Sequence, residues 1–314
     1  MPESPETSTT ASTTSPAVPP DRSRTVATLL RSGWCQIQIA GQSQTENVWL
    51  MPHGTLYWPA QSTLFVADVH LGKAASYRQQ GQPVPTGTTS TTLSRLSMAL
   101  SASQAKRLIV LGDFLHSAAV HRAQGTLNAL RQWRARHPEL SIILIRGNHD
   151  DHAGDPESSL GIEVVNEPYT VGPFACRHAP EMTLPQDPQP KGSLQDASSQ
   201  TTFWLAGHLH PVLVLKGQTG ERIRLKGFVV RPDGCILPAF GAFTGGHPYE
   251  PARHDRCFVV IDEADSSGQG QYCEQADIPG ARVLGVPAAM VQTRSGPTRR
   301  DVRALHNAWP IPDR

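Results

Sequence analysis

The sequence predicts an α/β protein, and three observations support this fold class. Short continuous runs of apolar residues recur along the chain, and amphipathic stretches with helical spacing lie between several of them. Continuous apolar runs are typical of strands that are buried on both faces, as in parallel sheets. Polar motifs come directly after several of these apolar runs. Since open α/β sheets bind ligands at the C-terminal ends of their strands, these motifs mark a candidate site.

The predicted elements follow one another as strands and crossover helices. The helix 89–100 places Leu93, Leu96 and Leu100 on one face, and the helix 124–136 places Leu127, Leu130 and Trp133 similarly. Each helix precedes a strand, which indicates β-α-β units. The predicted strands are 63–67, 107–111, 141–145, 203–206 and 257–261, and a short helix is expected at 301–309.

Amino-acid composition divides the chain into three parts. Residues 1–24 are mostly Ser, Thr, Pro and Ala, which bury too little apolar surface to offset the entropy of ordering, so we expect a disordered tail. Residues 25–282 form the predicted domain, in which 181–202 is expected to be a polar surface loop. Residues 283–314 are interpreted as a C-terminal extension.

Composition excludes several classes of protein. The formal net charge is only +1, so contact with nucleic acid must depend on a local patch. The five cysteines are widely spread without a CxxC, which argues against a disulfide framework and for a reducing compartment. No segment has the length of a membrane span, and the first residues do not resemble a signal peptide. We therefore expect a cytoplasmic protein without membrane contacts.

The first two motifs each contain an aspartate. Asp68 and His70 follow a predicted strand, and residues at i and i+2 of an extended segment point to the same side, so both can face one ion. A surface turn is the alternative for this pair alone. Asp113 follows Gly112 at the end of the next strand, where the glycine permits a sharp turn and the carboxylate can reach two ions.

The remaining candidate ligands are an amide and histidines. Asn148 offers a neutral oxygen beside His149 and Asp150, although Asn and Asp also build helix caps and turns. His208 and His210 follow the predicted strand 203–206, and imidazole is a common ligand of divalent metals. His178 has no surrounding motif and is included because of its order in the series.

The series Asp-x-His, Gly-Asp, Gly-Asn-His-Asp, His and Gly-His-x-His resembles the calcineurin-like metallophosphoesterase superfamily from about Leu64 to Pro211. This resemblance implies a four-layer α-β-β-α sandwich of the metallophosphoesterase type with two metal ions at the strand ends. It assigns one ion to Asp68, His70, Asp113 and His210, and the other to Asp113, Asn148, His178 and His208. Asp113 then bridges the two ions. We expect divalent ions, with Mn²⁺ first and Fe or Zn as alternatives.

A narrower resemblance rests on longer segments. The segments 67–75, 111–117 and 237–246, which read ADVHLGKAA, LGDFLHS and LPAFGAFTGG, resemble the bacterial ligase-associated DNA-damage-response endonuclease family, PdeM. The resemblance extends to about Ile261. It implies a phosphodiesterase or endonuclease that acts on DNA alongside an ATP-dependent DNA ligase and related repair enzymes.

The expected chemistry is hydrolysis by metal-bound hydroxide, which attacks phosphorus in line. His149 is placed to protonate the leaving alkoxide, with Asp150 orienting its imidazole. The alternative for His149 is a hydrogen bond that only supports the ligands. Basic residues near the ligands are candidate phosphate contacts, although such residues are often only solvated: Lys73, Arg78, Arg146 and Arg177. His116 is a further candidate for substrate binding or for supporting a ligand.

Three functions remain open. The first is a metal-dependent phosphodiesterase or endonuclease that acts on DNA. The second is a nucleotide-linked or lipid-linked pyrophosphatase, or a phosphomonoesterase, with the same metal centre. The third is a scaffold of the same fold without catalytic activity, which the intact ligand series disfavours.

Overall fold

The computed structural model describes residues 33–40, 45–181, 202–216, 222–261, 282–286 and 290–291. The predicted tail 1–24, residues 182–201 of the predicted loop and the predicted helix 301–309 lie outside the described residues. No helix in the described ranges is long and apolar enough to cross a membrane.

The first sheet has seven strands in chain order. The four N-terminal strands pair antiparallel, and β4 to β7 pair parallel. The strands are β1 (Cys35–Ala40), β2 (Thr45–Leu50), β3 (Leu56–Trp58), β4 (Thr63–Val66), β5 (Arg107–Leu111), β6 (Ser141–Ile145) and β7 (Ile162–Val165).

Two long helices connect the parallel strands of this sheet. The helix α2 (Thr88–Ser103) leads from β4 to β5, and α3 (Gln124–Arg136) leads from β5 to β6. Leu96 and Trp133 on these helices share one buried cluster with Val110 of the sheet. The predicted β-α-β units are therefore present. Two short helices, α1 (Lys73–Gln79) and α4 (Asn148–Ala153), begin beside the ends of β4 and β6.

The second sheet is also mixed, with the order β14-β11-β12-β13-β10-β9-β8 and with β15 between β12 and β16. The strands are β8 (Tyr169–Val171), β9 (Phe174–Cys176), β10 (Phe203–Ala206), β11 (Pro211–Lys216), β12 (Arg222–Val230), β13 (Gly234–Ile236), β14 (His247–Pro248), β15 (Arg256–Ile261) and β16 (Arg282–Val286). Strand β16 lies across the predicted boundary at 282/283.

The two sheets face each other across a shared apolar core. Phe65 and Ile109 of the first sheet lie in one buried cluster with Leu205 and Phe228 of the second. The predicted α/β class is confirmed, and the five predicted strands are present within one residue at each end. In the described ranges every α-helix precedes Gly154. A second helical layer is therefore not seen among them, and the four-layer order stays a prediction.

Candidate metal centre

Five of the seven predicted metal ligands have left-handed backbone. The φ angles are 54° at Asp68, 47° at His70, 54° at Asp113, 68° at His208 and 46° at His210. Elsewhere in the described ranges, positive φ at a non-glycine residue occurs only at two positions. Such conformations are disfavoured for residues with a side chain, and they cluster at functional sites because the surrounding structure must enforce them.

Backbone hydrogen bonds hold the strained segments in place after β4 and β5. The N–H of His70 donates to Asp113 O at 2.8 Å, and the N–H of Leu71 donates to Phe114 O at 2.9 Å. The parallel pairing of the two strands thus continues past their ends. The first two motifs are therefore fixed side by side at the edge where the parallel strands terminate.

One group of candidate ligand atoms is formed by Asp68, His70 and His210. His210 Nε2 lies 3.3 Å from Asp68 Oδ1, and His70 Nε2 lies 3.5 Å from Asp113 Oδ2. Asp68, His70 and Asp113 are all buried. These are the four side chains that the family resemblance assigns to the first ion.

A second group surrounds the ring of His178. Its Nε2 lies 3.5 Å from Asp113 Oδ1, 2.8 Å from Asn148 Oδ1 and 3.0 Å from His208 Nδ1. Asp68, Asp113 and His178 also form a group with ligand atoms close enough for one ion. Asp113 therefore turns one carboxylate oxygen toward His70 and the other toward His178, which is the geometry that a bridging carboxylate requires.

The buried histidine His70 provides the test of whether a metal fits. Neither of its ring nitrogens has a hydrogen-bond partner in the part of the chain that the structure describes, and the residue is 5% exposed. Burial and the neighbouring His149 lower the pKa of His70 well below 6.5, so the ring is neutral and has a lone pair to offer. A buried polar nitrogen without a partner costs free energy, and a bound cation would remove that cost.

The carboxylates of the site also favour a bound cation. Burial raises the pKa of Asp113, and the neighbouring Asp68 carboxylate raises it further. A divalent cation would compensate these two adjacent negative charges. Mixed imidazole, carboxylate and amide donors suit divalent ions such as Mn, Fe or Zn, so the residues present fit the implied metals.

Two glycines of the motifs are required by close packing. A Cβ on Gly112, which has φ 77°, would lie 2.2 Å from His178 Nδ1. A Cβ on Gly207 would lie 2.6 Å from Asp68 Oδ2. A side chain at either position would therefore displace a candidate ligand.

His149 lies against the candidate ligands and has one fixed tautomer. Its Nδ1 is 2.7 Å from His116 O, and because a carbonyl only accepts, Nδ1–H must be the donor. Its ring stacks on His116 at 4.9 Å between centroids, and its backbone N–H donates to Asp113 Oδ1 at 2.9 Å. Burial and the neighbouring His149 lower the pKa of His116 to about 4, so His116 is neutral. The Nε2 atom of His149 is therefore the one that can exchange a proton.

Asp150 does not orient the His149 ring in the way that the sequence suggested. Its carboxylate accepts hydrogen bonds from the backbone N–H groups of Gly147, Phe114 and Leu115 at 3.1, 3.2 and 2.9 Å. An acidic residue in the first turn of a helix commonly binds the free N–H groups there, which explains the difference. The His116 carbonyl orients the ring instead, and Asp150 joins the start of α4 to the segment after Asp113.

Of the four predicted phosphate contacts, Lys73 lies beside the candidate ligand His70, and the other three contact other protein groups. Lys73 is half-buried and lines a small cavity with His70, Thr88 and Phe243. Arg78 donates to Pro85 O at 2.6 Å. The other two form ion pairs: Arg146 with Asp155 at 2.9 Å and Arg177 with Glu181 at 3.1 Å.

Sequence reasoning missed three residues that support the centre. Glu167 Oε2 accepts the backbone N–H of His178 at 2.6 Å. Arg95 donates to Phe240 O at 3.0 Å, and Lys226 Nζ donates to Gly241 O at 3.2 Å.

These cations fix a loop whose Gly241 N–H donates to Asp68 O at 3.1 Å. None of the three belongs to a motif. Their contacts are made to backbone atoms that are distant in sequence, so the sequence carried no signal for them.

Comparison with known proteins finds similarity among solved structures. No protein-family model matches the chain, and no curated protein matches it. Among solved structures, the crystal structure of Pseudomonas putida nuclease MPE is 44% identical, with a TM-score of 0.57, and the match covers 72% of this chain and 96% of that one. The chain belongs to the family of this nuclease. Slightly more than a quarter of the chain lies outside the matched part.

Proposed function

We propose that the protein is a metal-dependent phosphodiesterase that cleaves DNA at a centre of two divalent ions. The observation that carries this proposal is the 44% identity to a nuclease over 96% of that protein's chain. The groups of Asp and His atoms around Asp113, with Asn148 beside His178, support it, because they offer nitrogen and oxygen ligands on both sides of one carboxylate.

The finer parts of the proposal follow the resemblance stated above. The seven ligands are assigned to two ions bridged by Asp113, with Mn²⁺ as the expected metal, in a sandwich of the calcineurin-like metallophosphoesterase type. The expected setting is DNA repair beside an ATP-dependent DNA ligase. Bound divalent ions would activate water and neutralise charge on the phosphoryl oxygens.

The protein's own residues supply positioning and proton transfer. The His116 carbonyl keeps the proton of His149 on Nδ1, so a second proton taken up at Nε2 can pass to the alkoxide that leaves phosphorus. The ammonium of Lys73, beside the cavity that His70 lines, offers a positive charge to a phosphate oxygen. Burial lowers the pKa of Lys73, and Asp113 and Asp68 oppose that shift.

A substrate panel tests the proposal. Metal-free protein is reloaded with Mn²⁺, Zn²⁺ or Mg²⁺ and assayed on bis-p-nitrophenyl phosphate, single-stranded and nicked DNA, p-nitrophenyl phosphate and nucleoside-diphosphate conjugates. We expect cleavage of the diester and of DNA. Turnover of monoesters or pyrophosphates alone would overturn the proposed substrate class, and no turnover with any metal would indicate a scaffold.

A further inference from the structure

Strand β11 of the second sheet begins beside the metal centre and leads away from it, and its antiparallel partner β12 leads back. The candidate ligand His210 directly precedes β11, and residues 212–216 of β11 pair antiparallel with residues 226–222 of β12. Six residues of strand span roughly 20 Å. The two strands therefore form an arm that extends from a ligand outward. Their connection, 217–221, lies outside the described residues.

One face of β12 changes from apolar to basic along its length. Successive residues of a strand alternate between faces, so Phe228, Lys226, Arg224 and Arg222 share one face. Phe228 is buried between the two sheets, whereas Arg224 and Arg222 are exposed. Lys226 lies between them, and its Nζ donates to carbonyl oxygens of the loop that contacts Asp68. The basic half thus continues the inter-sheet face past the core, on the side of the metal centre.

The opposite strand adds a third positive charge to this face. Lys216 is directly opposite Arg222 in the antiparallel register, and Arg224 is directly opposite Val214. Directly opposed like charges destabilise a sheet, so this pairing is not explained by folding. Neither strand carries an acidic residue. We call Lys216, Arg222 and Arg224 the basic track.

We propose that the basic track binds the phosphate backbone of the nucleic acid beyond the phosphodiester that is cleaved. This inference rests on the proposed function and extends it to how the substrate is held. The two-residue repeat of a strand is about 6.6 Å, which is of the order of the distance between successive phosphates along one nucleic-acid strand. Arg guanidinium groups bind phosphate oxygens with two parallel hydrogen bonds.

The overall charge of the chain makes a local surface necessary. The formal net charge is +1, so the molecule as a whole does not attract a polyanion. Arg224 donates weakly, at 3.4 Å, to Gly246 O, in the same loop that contacts Asp68. A strand bound along the track is therefore led to the metal centre. Phosphate contacts of this kind position the substrate and confer no sequence preference.

A triple variant, Lys216→Gln, Arg222→Gln and Arg224→Gln, tests the track. The control is Lys106→Gln, Arg107→Gln and Arg136→Gln, which removes the same charge where β5 begins and α3 ends. Binding of a labelled oligonucleotide to the metal-free protein is followed by fluorescence polarisation at several salt concentrations. DNA cleavage and hydrolysis of bis-p-nitrophenyl phosphate are measured on the metal-loaded protein.

We expect the track variant to bind the oligonucleotide at least tenfold more weakly, with the slope of log K against log salt reduced by about 2. Its KM for DNA should rise while kcat and turnover of the small diester stay at the wild-type level. The control variant should keep the wild-type slope. If the track variant binds the oligonucleotide with wild-type affinity and a wild-type salt slope, this inference is overturned and the proposed function is not affected. Absence of diester and DNA cleavage by the wild type would instead overturn the proposed function, and the binding arm would still decide the track.

Discussion

The backbone N–H of His208 donates to the carboxylate of Asp68, at 3.2 Å to Oδ1 and 2.9 Å to Oδ2. Asp68 follows β4 of the first sheet and His208 follows β10 of the second, 140 residues later. The first and last motifs of the series therefore meet where the ends of the two sheets come together. The candidate centre exists only when the two sheets are packed.

Replacing the bridging carboxylate should abolish activity without unfolding the protein. Asp113→Asn leaves one neutral amide oxygen where two carboxylate oxygens face His70 and His178. We expect turnover of bis-p-nitrophenyl phosphate to fall by orders of magnitude, with an unchanged circular dichroism spectrum. Asp151→Asn, at an exposed position of α4, is the matched control and should remain active. Full activity of the Asp113 variant would show that this carboxylate does not hold the metals.

The role of His149 should depend on the leaving group. His149→Ala removes the Nε2 atom that the His116 carbonyl leaves available for proton transfer. We expect cleavage of DNA, whose leaving alkoxide needs a proton, to fall by about 10²–10⁴-fold. Hydrolysis of bis-p-nitrophenyl phosphate should change far less, because p-nitrophenolate leaves without one. Equal losses on both substrates would assign His149 a role in supporting the ligands, and exposed His254→Ala serves as the control.

Glu167 should position His178 for metal binding. Its carboxylate accepts the His178 backbone N–H at 2.6 Å, and residues that orient ligands in this way typically change metal affinity by about 10–100-fold when they are removed. We expect weaker binding of the second Mn²⁺ by Glu167→Ala in a calorimetric titration. Glu167→Gln keeps an acceptor oxygen and should recover most of the affinity. Equal affinities in both variants and in the control Glu163→Ala would argue against this positioning role.

His53 should make the protein less stable in acid. Neither ring nitrogen has a hydrogen-bond partner in the described ranges, and burial together with Arg95 lowers the pKa of His53 from 6.5 to about 4. The unfolded chain takes up a proton near pH 6.5 while the folded chain does not, so stability is lost as pH falls from about 6.5 to about 4.

The loss attributable to His53 is about 3 kcal/mol at the acid end of that range. Urea denaturation of the wild type and of His53→Leu at pH 7 and pH 4.5 measures it by difference. We expect the wild type to lose more stability than the variant between the two pH values. Equal losses of stability in the wild type and the variant would show that His53 does not contribute to the loss of stability in acid.

The sequence predicted the parts of the fold that have a strong local pattern. The strands β5, β6 and β10 are continuous apolar runs, and α2 and α3 have regularly spaced leucines. The strands β3 and β9 have only three residues each, too few to show a period, and were not predicted. Four of the five candidate ligand strings stand out in the sequence because each follows a predicted strand, as with Asp113 after Leu111 and Gly112. His178 has no such motif, because it follows the unpredicted strand β9.

The surroundings of the site could not be predicted because they depend on tertiary contacts. Proximity in sequence makes Arg146 and Arg177 candidate phosphate contacts, but it does not show that each forms an ion pair with a carboxylate. The same reasoning paired Asp150 with the neighbouring His149 ring, whereas the carboxylate binds backbone N–H groups, two of them 35 and 36 residues away.

Titration of metal-free protein with Mn²⁺ tests the account most directly, with bound metal and DNA cleavage measured on the same samples. We expect cleavage to be absent without metal, to appear as ions bind and to reach its maximum at two ions per chain. In Asp113→Asn, the titration should fail to reach this stoichiometry at the same Mn²⁺ concentrations. Cleavage of DNA by thoroughly metal-stripped protein, or maximal cleavage with no bound ion, would contradict the account.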